Sequence, residues 1–368
     1  VSEPGSRFEF YSNLGKTQKT TESRWDKYTM TTVLFSDIQG FTRIAEQMNP
    51  EKLIDELDQF FFHFDSVVEK YNIEKIKTIG DAYMAAGGIP RKNSTNPVEV
   101  VLAALEMQKY MDELKRSKAD IWDLRIGIHT GPVIAGVIGH KKRSYDIWGD
   151  TVNTASRMES SGEPGKINIS GVTYQLVKEY FLCEYRGKLP VKYKGNIDMY
   201  FVKGLRPELS INLAGFPNRK FFLRLQLLRL YDLEEYIFEK LEEELSSKLY
   251  FHNLHYFEHI YEFSILISKA ENLDHEETLL IRTSILMYFL GFLESYLTPE
   301  KNATVLSRKI LPGFDYSEKQ IQSIHNLILA LKEPHEPKNL MEKIVVDIKL
   351  EYLGRVDYIK LQKLLFLE

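Results

Sequence analysis

The chain has few of the features that mark secreted or membrane-inserted proteins. Cysteine occurs once in 368 residues, at Cys183, which excludes a disulfide within the chain and fits a reducing compartment. No apolar run approaches the roughly 20 residues of a membrane-spanning helix, and no signal peptide is recognisable. The net charge of −4 argues against nucleic-acid binding driven by bulk charge. We therefore expect a cytoplasmic protein with no membrane segment in this chain and no nucleic-acid partner, although the start at Val1 leaves room for an upstream sensor or anchor.

The length and a change of pattern along the chain predict two domains. At roughly 150 residues per domain, 368 residues are enough for two. Residues 1–28 are polar and aperiodic, and we interpret them as a lead-in. Residues 29–205 mix strand and helix patterns and are predicted to form the first domain. A linker is predicted at 206–218, and helical spacing with almost no strand signal predicts an all-helical domain at 219–368.

The first domain has the order of elements of a ferredoxin-like α+β fold. Asn-Pro pairs are typical helix starts, because Asn caps the free N–H groups and Pro suits the first helical position. The predicted βαββαβ elements are a strand at 31–38, a helix from Asn49-Pro50, a hairpin of strands 75–79 and 82–86, a helix from Asn96-Pro97 and a strand at 124–128. Further predicted elements are strands at 133–138, 145–148 and 166–169, helices at 150–160 and 171–178, and a hairpin between 181 and 202.

Two aspartates stand at the ends of apolar, β-branched runs in this domain. Asp37 lies at the end of the strand predicted at 31–38, and Asp81 lies in the turn of the predicted hairpin. Carboxylates held rigidly at strand ends are suitable ligands for Mg²⁺ ions that act on a nucleoside triphosphate. Taken singly, each aspartate is better explained as an ordinary turn residue. The surrounding motifs decide between the two interpretations.

Residues from about 29 to 205 resemble the catalytic domain of class III nucleotidyl cyclases. Four long segments in order carry the resemblance: 34–42 (LFSDIQGFT), 77–84 (KTIGDAYM), 125–131 (RIGIHTG) and 145–158 (YDIWGDTVNTASRM). Such agreement is far more specific than one short motif. The resemblance implies attack of a ribose 3′-oxygen on the α-phosphorus of a nucleoside triphosphate, with release of pyrophosphate.

The resemblance also implies a set of site residues. Asp37 and Asp81, with the Ile38 carbonyl, match the ligands of two Mg²⁺ (or Mn²⁺) ions. Asn153 and Arg157 are four residues apart and so share one helix face, and the family uses this pair to orient the ribose and stabilise charge on the phosphate. Lys192 matches the lysine that binds the triphosphate, with Lys194 as an open alternative. The remaining substrate-contacting residues expected from the resemblance are Arg125, Phe41 and Thr42.

The choice of base is predicted from donors and acceptors. Lys77 can only donate a hydrogen bond and ionised Asp146 can only accept one, which complements the N1 acceptor and 6-amino donor of adenine. Guanine reverses both groups, so both contacts would be unfavourable. The expected substrate is therefore ATP. A guanylyl cyclase remains the alternative, because the flanking motifs fit guanylyl cyclases equally well.

The resemblance further implies a homodimer with composite active sites, in which one subunit supplies the metal ligands and the other the base-reading and transition-state residues. A regulatory module that binds nucleotide without converting it is an alternative. A phosphodiesterase acting through the helical domain is another.

Residues 219–368 resemble a degenerate HD-like domain, the fold of metal-dependent phosphohydrolases. Tyr256, Tyr288-Phe289 and Pro299-Glu300 stand where metal ligands are expected, and only Asp347 matches a ligand position. This pattern predicts a domain used for packing, dimer contact or binding of a regulatory partner. His252, His255 and His259 have helical spacing, so a zinc site is a weaker alternative to a polar surface.

Overall fold

The structure is a computed structural model that describes residues 25–117, 122–138, 144–191, 195–212, 215–332 and 336–368. Its contacts divide the described chain into two units, with the division between Phe221 and Phe222. The first unit is a mixed α+β domain and the second is helical. Each is described separately below.

The first unit is built on one mixed sheet. Its strands are Trp25–Ile38 (β1), Glu74–Ile79 (β2), Ala82–Gly87 (β3), Leu124–Ile138 (β4), Ser144–Trp148 (β5), Ile167–Ser170 (β6), Phe181–Val191 (β7) and Gly195–Leu205 (β8). They lie in the order β2-β3-β1-β4-β6-β8-β7, with β5 paired to β4. Only the pairing of β4 with β6 is parallel. The order β2-β3-β1-β4 is that of the predicted ferredoxin-like fold, which is confirmed.

Five helices accompany this sheet: Phe41–Gln47 (α1), Pro50–Lys70 (α2), Asn96–Ser117 (α3), Asp150–Ser160 (α4) and Gly171–Val177 (α5). The predicted start of α2 is confirmed, since the Asn49 side chain accepts hydrogen bonds from the N–H groups of Glu51 and Lys52. Asn96 is fully buried at the start of α3, where it contacts β1 through the hydroxyl of Thr32 and the carbonyl of Met30.

Two strands are longer than predicted. β1 begins at Trp25, inside the segment interpreted as a lead-in, and β4 runs unbroken where two separate strands were expected at 124–128 and 133–138. The register of β1 against β4 shifts between Tyr28 and Thr31. This bulge lies opposite Pro132, which cannot donate to a ladder, so the strand pair continues past the proline.

The described residues of the second part of the chain are mainly helical. The helices are Arg219–Glu244 (α6), Leu254–Ala270 (α7), His275–Glu294 (α8), Pro299–Ile310 (α9), Glu318–Ala330 (α10), Leu340–Lys349 (α11) and Tyr358–Leu367 (α12). Helix α8 is central and is buried along nearly its whole length, with Phe289 stacked on Phe257 at 4.4 Å between ring centroids. Asp274 begins α8 with a complete capping box that involves Glu277.

The positions that the HD-like resemblance assigned to metal ligands carry other contacts. Tyr288 and Phe289 are buried in the apolar core, Tyr256 donates to the Lys349 carbonyl at 3.3 Å, and Asp347 is exposed. The resemblance itself stays a prediction. Among the described helices, no single one is both long and apolar enough for a membrane span, whereas the bent pair α8 and Pro299–Phe314 passes on length and composition alone.

The three histidines considered as a zinc site have separate environments. His252 pairs with Glu368 at 2.7 Å, His255 is exposed, and His259 contacts Arg355 at 2.6 Å. Within the described ranges, no three or more His, Cys, Asp or Glu side chains are grouped so as to hold a metal ion. The zinc alternative is therefore not supported.

Candidate active site

The two aspartates singled out in the sequence lie side by side. Asp37 is the penultimate residue of β1, and Asp81 lies in the turn between β2 and β3, after Gly80 in the left-handed conformation (φ 64°). Strands β1 and β3 are neighbours paired up to Ser36 and Tyr83, so the two carboxylates meet at one end of the sheet. They are close enough to share a hydrogen bond, and the backbone amide of Ile38 also contacts Asp81.

The electrostatics of this pair suit a divalent cation. Burial, and after it the adjacent Asp37, raises the pKa of Asp81 to about 6. Two carboxylates forced together bind a proton more readily than isolated ones, and a bound dication would relieve the same repulsion. The two carboxylates and the nearby Ile38 backbone therefore fit Mg²⁺ or Mn²⁺, which take oxygen ligands.

Arg125 is held against the aspartate pair by β4. The β1–β4 register places Arg125 directly opposite Asp37, and its Nη2 atom lies 2.8 Å from Asp37 Oδ2. The same nitrogen lies 2.9 Å from Oε1 of Glu159. The predicted substrate residue Arg125 is thus part of the cluster, paired with two carboxylates.

Glu159 was missed in the sequence interpretation. It is 9% exposed on α4, in the buried stripe with Thr151, Thr154, Ala155 and Met158. A glutamate on the apolar face of an amphipathic helix is the signal that could have identified it. Burial is the largest cause that raises the pKa of Glu159 to about 7; Arg125 opposes this effect and Asp37 adds to it.

Helix α4 lies in very close contact with β4. A Cβ atom on Gly127 would lie 1.8 Å from the backbone nitrogen of Glu159, so only glycine permits this approach. On the other side, the Asn168 amide of β6 donates to the Met158 carbonyl at 2.7 Å. The C-terminal end of α4 is therefore fixed by the sheet.

The predicted pair Asn153 and Arg157 lies on a different face of α4 from Glu159. At 3.6 residues per turn, Arg157 is about 40° from Asn153 and about 160° from Glu159 around the helix axis. Asn153 is exposed and Arg157 is half-buried. Within the described part of the chain, neither side chain has a hydrogen-bond or ion-pair partner.

The predicted base-reading residues form a direct pair. Lys77 of β2 and Asp146 of β5 are joined by a 2.6 Å hydrogen bond between Nζ and Oδ2. The other Asp146 oxygen accepts from the backbone N–H of Ile147 at 2.8 Å, which orients the carboxylate. A fixed acceptor thus lies next to a donor, although 69 residues separate them in the chain.

The remaining predicted residues are less involved in this cluster. Phe41 begins α1 and packs edge-on against Trp122, with ring centroids 6.3 Å apart, and Thr42 is exposed beside it. Lys192 and its alternative Lys194 lie outside the described residues.

Comparison with known proteins identifies this arrangement. Residues 24–204 match the family model for the adenylate and guanylate cyclase catalytic domain. This segment belongs to the class III nucleotidyl cyclases.

Relatives of the cyclase segment include enzymes of both kinds. Human guanylyl cyclase C is 39% identical over 206 residues, which are 54% of this chain and 19% of that protein. An adenylate cyclase of Mycobacterium tuberculosis is 40% identical over 179 residues, which are 49% of this chain and 40% of that protein. The chain thus spans less than half the length of these curated relatives.

Solved structures similar to the cyclase segment also include both kinds. The adenylyl cyclase CyaB from P. aeruginosa is 31% identical, with 51% of this chain and 100% of that chain covered and a TM-score of 0.48. The catalytic core of a rhodopsin-guanylyl cyclase with converted specificity, in complex with ATPalphaS, is 36% identical, with 49% and 98% covered and a TM-score of 0.47. Because the curated relatives include both an adenylate cyclase and a guanylyl cyclase, membership of the family leaves the choice between ATP and GTP open.

Proposed function

We propose that the protein is an adenylyl cyclase, which converts ATP to 3′,5′-cyclic AMP and pyrophosphate. The observation that carries the choice of ATP is the pairing of Lys77 with Asp146. The ammonium group donates and the carboxylate accepts, so a base that inserts at this pair should offer one acceptor and one donor. The Watson–Crick edge of adenine does so through N1 and the 6-amino group.

Guanine presents the opposite polarity at the same two positions. Its O6 would face the Asp146 carboxylate and its N1–H would face the Lys77 ammonium group. Because both partners are partly shielded from water, with side-chain exposures of 41% for Lys77 and 19% for Asp146, such mismatches would not be fully relieved by solvent. The pair therefore favours ATP over GTP.

The chemistry follows from the cluster at the sheet end. Asp37, Asp81 and the Ile38 carbonyl would hold two Mg²⁺ or Mn²⁺ ions, which would lower the pKa of the ribose 3′-hydroxyl and bind the triphosphate. Arg125 would donate to phosphate oxygens, because its planar guanidinium matches their geometry. Arg157 and Asn153 would stabilise the reacting phosphate and orient the ribose. Lys192 is proposed as a further triphosphate contact.

A homodimer with composite sites accompanies this proposal. On α4, Glu159 faces the cluster around Asp37, so Arg157 and Asn153 of the same helix are directed away from it. Groups that point away from the metal ligands of their own chain can serve those of a second chain. The proposed assembly therefore has two equivalent sites, each formed by both subunits.

The substrate assignment is tested by incubation of the purified chain with ATP and, separately, with GTP, followed by identification of the product. We expect cyclic AMP from ATP, little product from GTP, and none from Asp37→Ala. The Lys77→Glu variant should shift the ratio of kcat/KM for the two substrates toward GTP by at least about 100-fold. Lys75→Glu is the matched control, because Lys75 lies on the same strand but pairs with Asp65.

Three results would contradict the proposal. Cyclic GMP as the main product of the wild-type chain would make it a guanylyl cyclase. Tight nucleotide binding with no product from either substrate would support the binding-module alternative. Constant specific activity across a dilution series, with single chains in sedimentation, would refute the composite site.

A further inference from the structure

The contact between Arg125 and Glu159 contains unused hydrogen-bonding capacity. Arg125 places one nitrogen, Nη2, within 3 Å of both Asp37 and Glu159. Arg125 Nε is buried and has no hydrogen-bond partner among the described residues, and Glu159 Oε1 is buried 2.9 Å from Nη2 without hydrogen-bond geometry to it. A buried donor or acceptor without a partner destabilises the state that contains it. An arrangement that satisfies both atoms would therefore be favoured whenever Asp37 no longer binds Arg125.

The geometry of guanidinium and carboxylate groups identifies that arrangement. Arginine donates through a planar fork and binds a carboxylate best when two N–H groups face two oxygens. Arg125 now shares a single nitrogen between two carboxylates. A rotation of the guanidinium toward Glu159 would place Nε and Nη2 against the two Glu159 oxygens, and would free Asp37 Oδ2.

Glu159 is a suitable second partner because its backbone does not move easily. The backbone nitrogen of Glu159 lies against Gly127 with no space for a Cβ atom, and Asn168 fixes the preceding carbonyl. The side chain is 11% exposed, so solvent competes weakly for its charge when it is ionised. A rigid, buried carboxylate 2.9 Å from the guanidinium is placed to retain it.

We propose that Glu159 is a positioning residue, which takes the Arg125 guanidinium from Asp37 when Asp37 binds a divalent cation. Arg125 then stays beside the metal ligands, oriented by a full ion pair with Glu159, at the place where the triphosphate arrives. The exchange involves hydrogen bonds and ion pairs only, and no covalent bond changes. This inference rests on the proposed function, since it assigns a role in the same site.

Cation binding without turnover provides the test. Mn²⁺ would be titrated into the full chain at pH 8, where Glu159 is ionised, in the presence of 3′-deoxy-ATP, which lacks the attacking hydroxyl. Free Mn²⁺ would be followed by electron paramagnetic resonance. Glu159→Gln keeps the shape of the side chain but cannot form the ion pair. We expect Mn²⁺ affinity about tenfold lower, in the range for residues that support metal ligands. Glu163→Gln, which removes an exposed glutamate paired with Lys166, should change nothing.

A double-mutant cycle separates positioning from a simple loss of negative charge. Arg125→Lys keeps the positive charge but has no planar fork, so it should also weaken Mn²⁺ binding. If Glu159 acts through Arg125, Glu159→Gln should cause no further loss in the Arg125→Lys chain. Equal losses in both backgrounds would show a through-space charge effect and would overturn the proposal. Thermal unfolding of each variant confirms that it is folded.

The failure of this inference is distinguishable from failure of the cyclase assignment. Product formation by the wild-type chain tests the cyclase independently of Glu159. An active wild-type enzyme whose Mn²⁺ affinity is unchanged by Glu159→Gln would refute the role of Glu159 alone. If Asp37→Ala binds Mn²⁺ with the same affinity as the wild type, both the cyclase assignment and the role of Glu159 would be refuted.

Discussion

Replacement of Gly127 by alanine should disrupt the first unit more than any comparable glycine substitution. The added Cβ would lie 1.8 Å from the backbone nitrogen of Glu159 and 2.4 Å from its Cα atom. An ordinary contact begins at 3.4 Å, so the end of α4 would have to retreat by roughly 1.6 Å. Backbone atoms cannot rotate away as a flexible side chain can. The helix must therefore move, and Asn168 and Arg125 lose their partners on it.

The magnitude can be worked from these contacts. Overpacking of a core usually lowers the free energy of unfolding by about 1–3 kcal/mol. A clash with backbone atoms is expected at the upper end of this range. For a unit of about 200 residues, a loss of about 3 kcal/mol lowers the melting temperature by roughly 6–12 °C. A displacement of the order of 1 Å near reacting groups can reduce the rate about 100-fold. We expect both effects in Gly127→Ala.

Tryptophan fluorescence is the appropriate assay, because the three tryptophans, Trp25, Trp122 and Trp148, all lie in the first unit. Gly354→Ala is the control, since a Cβ at that position meets nothing within 4 Å; because Gly354 lies in the helical unit, its unfolding is followed by circular dichroism. A Gly127→Ala protein that melts within about 2 °C of the wild type and retains cyclase activity within about twofold would refute the close packing of α4 on β4.

Two further predictions concern buried side chains. The folded chain holds the Glu159 proton up to about pH 7, whereas the unfolded chain releases it near 4.5, so stability should fall as the pH rises between these values, by up to about 3 kcal/mol. Urea unfolding from pH 5 to pH 8 should show this fall in the wild type and a weaker one in Glu159→Gln; parallel curves would contradict the prediction. In the helical unit, Phe289→Ala should cost about 3–5 kcal/mol, because the ring is 1% exposed and stacks on Phe257. Circular dichroism in urea would measure the loss, and Leu297→Ala, at a residue 84% exposed, should stay within about 0.5 kcal/mol of the wild type.

The sequence was sufficient for features that depend on local pattern. Asn49-Pro50 predicted the start of α2, because the cap and the first helical residue act within one turn. The turn at Gly80-Asp81 was predicted from the strands on either side of it. The meeting of Asp37 with Asp81 follows from the neighbouring positions of β1 and β3 in a ferredoxin-like sheet.

Features that depend on tertiary contacts were not predicted. Gly131-Pro132 is typical of the end of a strand. Strand β4 continues through it because β1 has a bulge at the opposite position. Helix α1 has seven residues, no side-chain cap and no charge signal at its ends, so its sequence does not distinguish it from a loop. Glu159 appears in the sequence as one more charged residue near a helix end. Its position on the apolar face of α4 is visible in the sequence, but the extent of its burial depends on Gly127, which allows α4 to pack closely against the sheet.

The opposite orientations of Glu159 and Arg157 on α4 have a consequence for steady-state kinetics. In the proposed dimer, the Glu159 side of each α4 helix faces the active site whose metal ligands belong to its own chain. The Arg157 side of the same helix serves the other active site. A rigid element shared in this way transmits a shift at one centre to the other. Substrate saturation should therefore deviate from a simple hyperbola, with a Hill coefficient different from one, and Glu159→Gln should bring it back toward one.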